Sequence, residues 1–172
     1  MNITRIAAAA TAAALLSTPL AAQETAAEVD TDWYVFVAED ESECLAVSSP
    51  QRAEYFRDGA EVSATTDEPS LTVVYRPGEG AMGQVAYLGG FPFSEDEPIE
   101  AQVGTEAHAL YPDNIWAWPP SAEADAALIE EMRVGREVRL SSFSSRGTNV
   151  VHYFSLNGFG PAVDEAARRC DN

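Results

Sequence analysis

The chain has 172 residues, with ten Lys+Arg against 28 Asp+Glu for a formal charge of -18, and every one of its basic residues is arginine. That length suits one domain rather than two. The 46% hydrophobic content supplies a core, so the acidity belongs to the surface. The charge excludes nucleic acid as a partner, because phosphate binding requires a basic face, and it argues against docking on an anionic membrane surface.

Residues 1–22 read as a secretory signal peptide. Arg5 supplies a positive start, an Ala-rich apolar run extends from Ile6 to Leu16, and small residues lead to Ala22. The apolar run is too short to span a bilayer, which takes about 20 residues. Cleavage after Ala22 gives a periplasmic or secreted product with no stable membrane insertion. Loss of Arg5 leaves nine Arg against 28 acids, a charge of -19. Residues 23–31 are small and polar and read as a flexible lead-in. The folded domain occupies 32–172.

Short strands follow in chain order. Trp33-Tyr-Val-Phe-Val37 is rich in aromatic and β-branched residues. The acidic run Glu39–Glu43 turns the chain into a second strand from Glu43 to Ser48. Ser70–Arg76 is a third, closed by the turn Pro77-Gly78-Glu79-Gly80. Gln84–Leu88 follows and stops at Gly89-Gly90. Ile99–Val103 alternates apolar and polar, the pattern of a half-buried strand. Gly104-Thr105 then permits a tight hairpin into Ala107–Tyr111. Arg136–Phe143 and Asn149–Leu156 pair around Ser144–Gly147.

Two helices interrupt the strands. One lies near 121–134, with Ser121 as N-cap, Leu128, Ile129 and Met132 on its apolar side, and Gly135 just past its end. The other lies near 161–169. There Pro161 suits the first helical position, and Val163, Ala166, Ala167 and Cys170 share one face. The fold class is therefore mainly β: a single β-sandwich domain with two short helices.

Cys44 and Cys170 are the two cysteines. In an exported chain they predict one structural disulfide between the ends of the domain. No C-x-x-C pair points to redox chemistry.

Candidates for a reactive site are few. His108 and His152 both fall in strands, and neither has metal-ligand spacing to another His or Cys, so no metal or cofactor is predicted. His152 alternates with Val150 and Phe154 and reads as a core or pocket-edge histidine. A Ser–His–Asp hydrolase would have to use it without any nucleophile motif. The acidic clusters Glu39–Glu43 and Glu95–Glu97 read as solvated turns. The alternative is calcium, which takes six to eight oxygen ligands.

The conspicuous local feature is Trp116-Ala-Trp118-Pro-Pro120. Two tryptophans flanking one residue in a strand project to the same face. They either cover one end of the core or form a platform for a partner or ligand. Phe91 and Phe93 carry the same two readings. Arg146, in the Ser-Arg-Gly-Thr turn, could capture an anion or pair with a neighbouring carboxylate.

Taken in order, these pieces resemble the invasion-associated locus B family of exported bacterial proteins. The resemblance rests on Asp32-Trp33, Glu43-Cys44, Tyr75-Arg76-Pro77-Gly78 and Trp116-Ala-Trp118-Pro119 before a helix ending in Met132-Arg-Val-Gly135. It continues through Ser145-Arg-Gly-Thr148 and Phe154-Ser-Leu-Asn-Gly-Phe159 to a short helix ending at Cys170. It covers nearly all of 32–170. It implies a compact β-sandwich in an envelope or secreted protein, linked in pathogens to entry into host cells, and it brings no catalytic residues. The chain departs from the better-known members in its acidity, its lack of lysine and its two widely separated cysteines.

The functional expectation is a non-enzymatic exported domain that binds an envelope or host protein. The alternatives are a small-ligand or calcium-binding module and, behind that, an uncharacterised hydrolase using His152.

Overall fold

The computed structural model describes residues 31–171. The expected signal peptide at 1–22 and nearly all of the lead-in at 23–31 lie outside the described residues.

Eleven antiparallel strands form one continuous sheet. They are β1 (Tyr34–Val37), β2 (Cys44–Ser48), β3 (Arg52–Arg57), β4 (Ala60–Glu61), β5 (Ser70–Arg76), β6 (Ala81–Leu88), β7 (Ile99–Val103), β8 (Glu106–Asp113), β9 (Trp116–Trp118), β10 (Glu137–Phe143) and β11 (Asn149–Ser155). Two helices, α1 (Ala122–Val134) and α2 (Phe159–Cys170), complete the described chain with a single 3-10 turn at Pro77–Glu79. The spatial order is β1-β2-β5-β6-β9-β8-β7-β10-β11-β3-β4.

The sandwich arises because β8 serves two leaves. Its first part, Glu106 to Leu110, pairs with β7, and its last part, Tyr111 to Asp113, pairs with β9. The sheet folds over at that point. One leaf is β1-β2-β5-β6-β9 with the end of β8; the other is the start of β8 with β7-β10-β11-β3-β4. Inward residues of both leaves form one core that includes Trp33, Val73, Tyr87, Leu110, Leu140 and Phe154.

Both helices add to the same core. Ser121 caps α1 by accepting from Ala124 N at 3.3 Å, and Leu128, Ile129 and Met132 are buried. Gly135 ends α1 for want of space rather than for a left-handed backbone. Its φ is -75°, but a Cβ there would lie 2.5 Å from Val103 and 2.9 Å from Leu156. In α2 the buried face is Phe159, Ala162, Val163, Ala166 and Cys170. This helix begins at Phe159, before the expected start at Pro161. Proline is tolerated there because N–H groups of the first turn have no intrahelical acceptor.

Two strands escaped the sequence reading, β3 and its two-residue partner β4. Arg52-Ala-Glu-Tyr-Phe-Arg57 carries polar residues without strict alternation, and its burial is intermediate except at the ends. Its place at the margin of the second leaf explains this, because an edge is only partly covered.

Cys44 opens β2 and Cys170 closes α2, and the two are bonded with their Cα atoms 5.9 Å apart and 126 residues apart in sequence. The bond fastens the last helix to the first leaf. A second tie joins α1 to that leaf. Pro119 follows β9 and cannot extend it, because proline has no N–H to donate. Asp125 of α1 accepts the Val85 N–H of β6 at 2.8 Å instead. Burial raises the Asp125 carboxyl pKa, and the Val85 bond opposes that rise.

Two stability predictions follow from these ties. Reducing the disulfide, or making the Cys44→Ala/Cys170→Ala variant, is expected to remove up to about 5 kcal/mol in denaturant unfolding. Asp125→Leu leaves Val85 N–H without an acceptor and is expected to cost about 1–3 kcal/mol in the same assay.

Candidate functional site

The tryptophan pair sits where β9 joins the first leaf. Tyr87 and Leu88 of β6 pair with Ala117 and Trp116 on one side, and Tyr111 and Asp113 of β8 pair with Trp118 and Trp116 on the other. Ala117 is wholly buried. Alternation therefore sends both tryptophans outward. Their rings lie 6.3 Å apart with only 18° between their planes. Trp116 is 36% exposed and Tyr111, beside Trp118, is 53% exposed. The expectation that these rings cover one end of the core does not hold, because neither belongs to the core cluster. They form a shelf on the outside of the leaf.

The other aromatic candidates are placed elsewhere. Phe93 is 3% exposed and packs on Tyr87 at 5.5 Å, and Phe91 stands edge-on to Phe93 at 5.0 Å, half-buried against the core. The two phenylalanines are corrected from surface candidates to packing residues. Their segment is stitched down on both sides: Phe93 N donates to Asn114 O at 2.8 Å, and Ser94 N donates to Phe143 O at 2.7 Å. Arg146 is exposed in the tight turn closed by Gly147 N donating to Ser144 O at 2.8 Å. That turn joins β10 to β11 in the second leaf, so Arg146 is not part of the tryptophan shelf.

His152 is wholly buried at the centre of a neutral network. Its Nδ1 is 2.7 Å from Tyr87 Oη, its Nε2 is 3.3 Å from Thr66 Oγ1, and Thr66 Oγ1 is 3.4 Å from Tyr55 Oη. Phe91 and Phe154 flank the imidazole at 6.4 Å. Among the described residues no carboxylate bonds to it, and Ser142 Oγ donates to Val150 O rather than to His152. Three surface cavities, of about 740, 550 and 500 Å³, do not include His152 among their lining residues. The arrangement has the composition of a satisfied core network, with a hydroxyl within reach of each ring nitrogen. Burial raises the Tyr87 hydroxyl pKa and pushes the His152 imidazole down to about 4. His108 is half-buried on β8 opposite Ala101, and its Nε2 has no hydrogen-bond partner among the described residues.

The acidic clusters line open clefts. Asp40, Glu41, Glu43 and Glu79 border the first of these three cavities, of about 740 Å³, where Glu43 is ion-paired to Arg76. Glu95 and Asp96 border the smallest of the three. No group of three or more His, Cys, Asp or Glu among the described residues is arranged to hold a metal ion. No helix among them is long and apolar enough to cross a membrane.

No family model matches the sequence, and no curated protein matches it. Among solved structures, the chain is similar to the crystal structure of invasion associated protein B from Bartonella henselae. The TM-score is 0.53 at 15% identity, over 80% of this chain and 93% of that one. The chain has an invasion associated protein B-like fold, mainly β with two helices.

The buried histidine generates a pH prediction. A neutral imidazole with a folded pKa near 4 and an unfolded value near 6.5 gives stability that is complete above about pH 6.5 and is lost as pH falls toward 4. The loss is roughly 3 kcal/mol. Denaturant unfolding from pH 7 to pH 4 is expected to show that excess loss in the natural protein relative to His152→Gln. The surface carboxylates are common to both and cancel.

Proposed function

We propose that this is a non-enzymatic exported protein of the invasion-associated locus B type, acting as a periplasmic or secreted binding domain in envelope function or host contact. The observation that carries the reading is the tryptophan shelf. Rings of Trp116 and Trp118 stand stacked on the outside of a leaf whose core is filled without them. Exposed aromatic side chains combine a large apolar area with few rotatable bonds, which is why tryptophan and tyrosine dominate binding energies at interfaces.

Two further observations support the reading. The similar fold of invasion associated protein B is a likeness to a protein named for invasion. The Cys44–Cys170 bond suits an oxidising compartment, where disulfides persist.

Co-purification after cross-linking from the producing cell's own envelope tests it. The tagged natural protein is expected to recover a reproducible protein partner. The Trp116→Ser/Trp118→Ser variant is expected to recover at least roughly tenfold less, since aromatic anchors are each worth about 2 kcal/mol or more. Recovery of the protein alone, or equal recovery by the variant, contradicts the reading.

A further inference from the structure

The shelf is one corner of a larger uncharged face. The strand register draws it in rows across the first leaf. One row runs Tyr34, Val47, Thr72, Ala86, and the next runs Phe36, Leu45, Val74, Gln84. A third runs Ser70, Leu88, Trp116, Asp113, and Trp118 faces Tyr111 beside it. Asp113, at one corner, is the single charged residue in these rows. Tyr34 is 49% exposed and Phe36 46%, so the edge opposite the tryptophans is also aromatic. Both helices pack with the core, and the openness of the face lies at its two aromatic ends, since Thr72, Val74 and Ala86 in the middle are only 5–7% exposed.

The outside of the other leaf is built differently. There Arg139 pairs with Glu100 and Arg52 with Glu54, and Arg52 also lies over the Tyr153 ring. That is an ordinary solvated surface. Its contrast with the first leaf is one of charge, on a chain in which 22% of residues are charged.

Charge returns where the strands of the first leaf end. Glu39 and Asp40 are exposed in the turn from β1 to β2, Asp67 and Glu68 are exposed just before β5, and Asp113 ends β8. Arg76, at the end of β5, is taken up by Glu43 and Glu79. The face thus has an aromatic and aliphatic interior and an acidic border. Depletion of charge inside, enrichment of Tyr, Trp and Phe, and a polar border are the anatomy of a protein interface.

We infer that this whole outward face, from β1 to the end of β8, docks a protein presenting an apolar patch ringed by Lys and Arg. The inference rests on the binding reading above and names the partner's chemistry. At the usual strand spacing the face covers roughly 600 Å². That footprint approaches the roughly 800 Å² that each partner contributes to a standard interface. A second copy of the chain would set acidic border against acidic border, and like charges facing one another suppress a pairing. A basic ring meets the border with opposite charge, and the net charge of -18 steers such a partner inward.

Photo-cross-linking in producing cells tests this, with benzoylphenylalanine replacing Phe36 in one variant and Tyr111 in another. These positions lie five strands apart, about 24 Å. A third variant carries the probe at Glu100 on the other leaf. One basic protein is expected from both Phe36 and Tyr111 and not from Glu100. Its capture should fall roughly tenfold when NaCl rises from about 0.05 to about 0.5 M. The Asp67→Arg/Glu68→Arg/Asp113→Arg variant should lose a similar factor at low salt with an unchanged unfolding midpoint. Capture from Tyr111 alone overturns the extended face and leaves the binding function standing. Capture of a second copy, or of an acidic protein, overturns the partner chemistry. No capture from either position overturns both.

Discussion

The strand period of two is the constraint on which the rest of the molecule depends. Successive side chains must point to opposite sides. Once Trp33, Val35, Ala46, Val73, Tyr87 and Ala117 enter the core, the residues between them have no choice of direction. Tyr34, Phe36, Val47, Thr72, Ala86 and Trp116 are carried outward together. A slip of one residue in any of these strands would exchange the two sets. The interior and the exposed aromatic face are thus two sides of one pattern. A change that repacked the interior would disturb the face as well.

Holding that pattern in a sheet with two open ends requires ties across it. The disulfide joins the start of β2 to the end of α2, so the last helix cannot leave the inner side of the first leaf. Asp125 supplies the acceptor that β9 would have provided had it continued past Trp118. Trp33 Nε1 donates to Ser155 O at 2.8 Å, which fastens the entry of β1 to the end of β11 in the opposite leaf. Each tie acts near the end of a strand: the disulfide at the start of β2, Asp125 beyond the end of β9 and Trp33 at the end of β11. The Tyr87–His152–Thr66 chain works in the same sense inside the core, where a polar network is stabilising only when every member is satisfied.

Much of this was legible in the sequence because local chemistry and fold agree. Ser121 and Gly135 bracket α1, and the spacing of Val163, Ala166 and Cys170 marks the buried side of α2. The cysteine pair followed from count and compartment. What was not legible depended on long-range pairing. β3 and β4 lack a clean alternation because they sit at a sheet margin, and β8 reads as one strand although it belongs to two leaves. Phe91 and Phe93 look like Trp116 and Trp118 in composition. Only the hydrogen bonds to Asn114 and Phe143 turn their segment inward. The outward aromatics Tyr34 and Phe36 carried a usable signal, since Trp33 and Val35 alternate with them. Knowing which set faces water required the helix that covers the other.

The acidity of the chain and the neutrality of one leaf belong to the same physical account. A strongly negative surface keeps copies apart and protects an exposed apolar face from self-association, because bringing two such bodies together costs repulsion at every border. An apolar face of this extent on a neutral protein would be an aggregation liability. Here the carboxylates are kept off the face itself, where they would have to be desolvated on docking. They stand at its edge, where they stay hydrated and still act over about 10 Å at moderate salt. The same arrangement that discourages a second copy leaves the exposed rings of Tyr34, Phe36, Tyr111 and Trp116 free to lose water against a partner of opposite border charge. Solubility and selectivity are then two consequences of one distribution of charge.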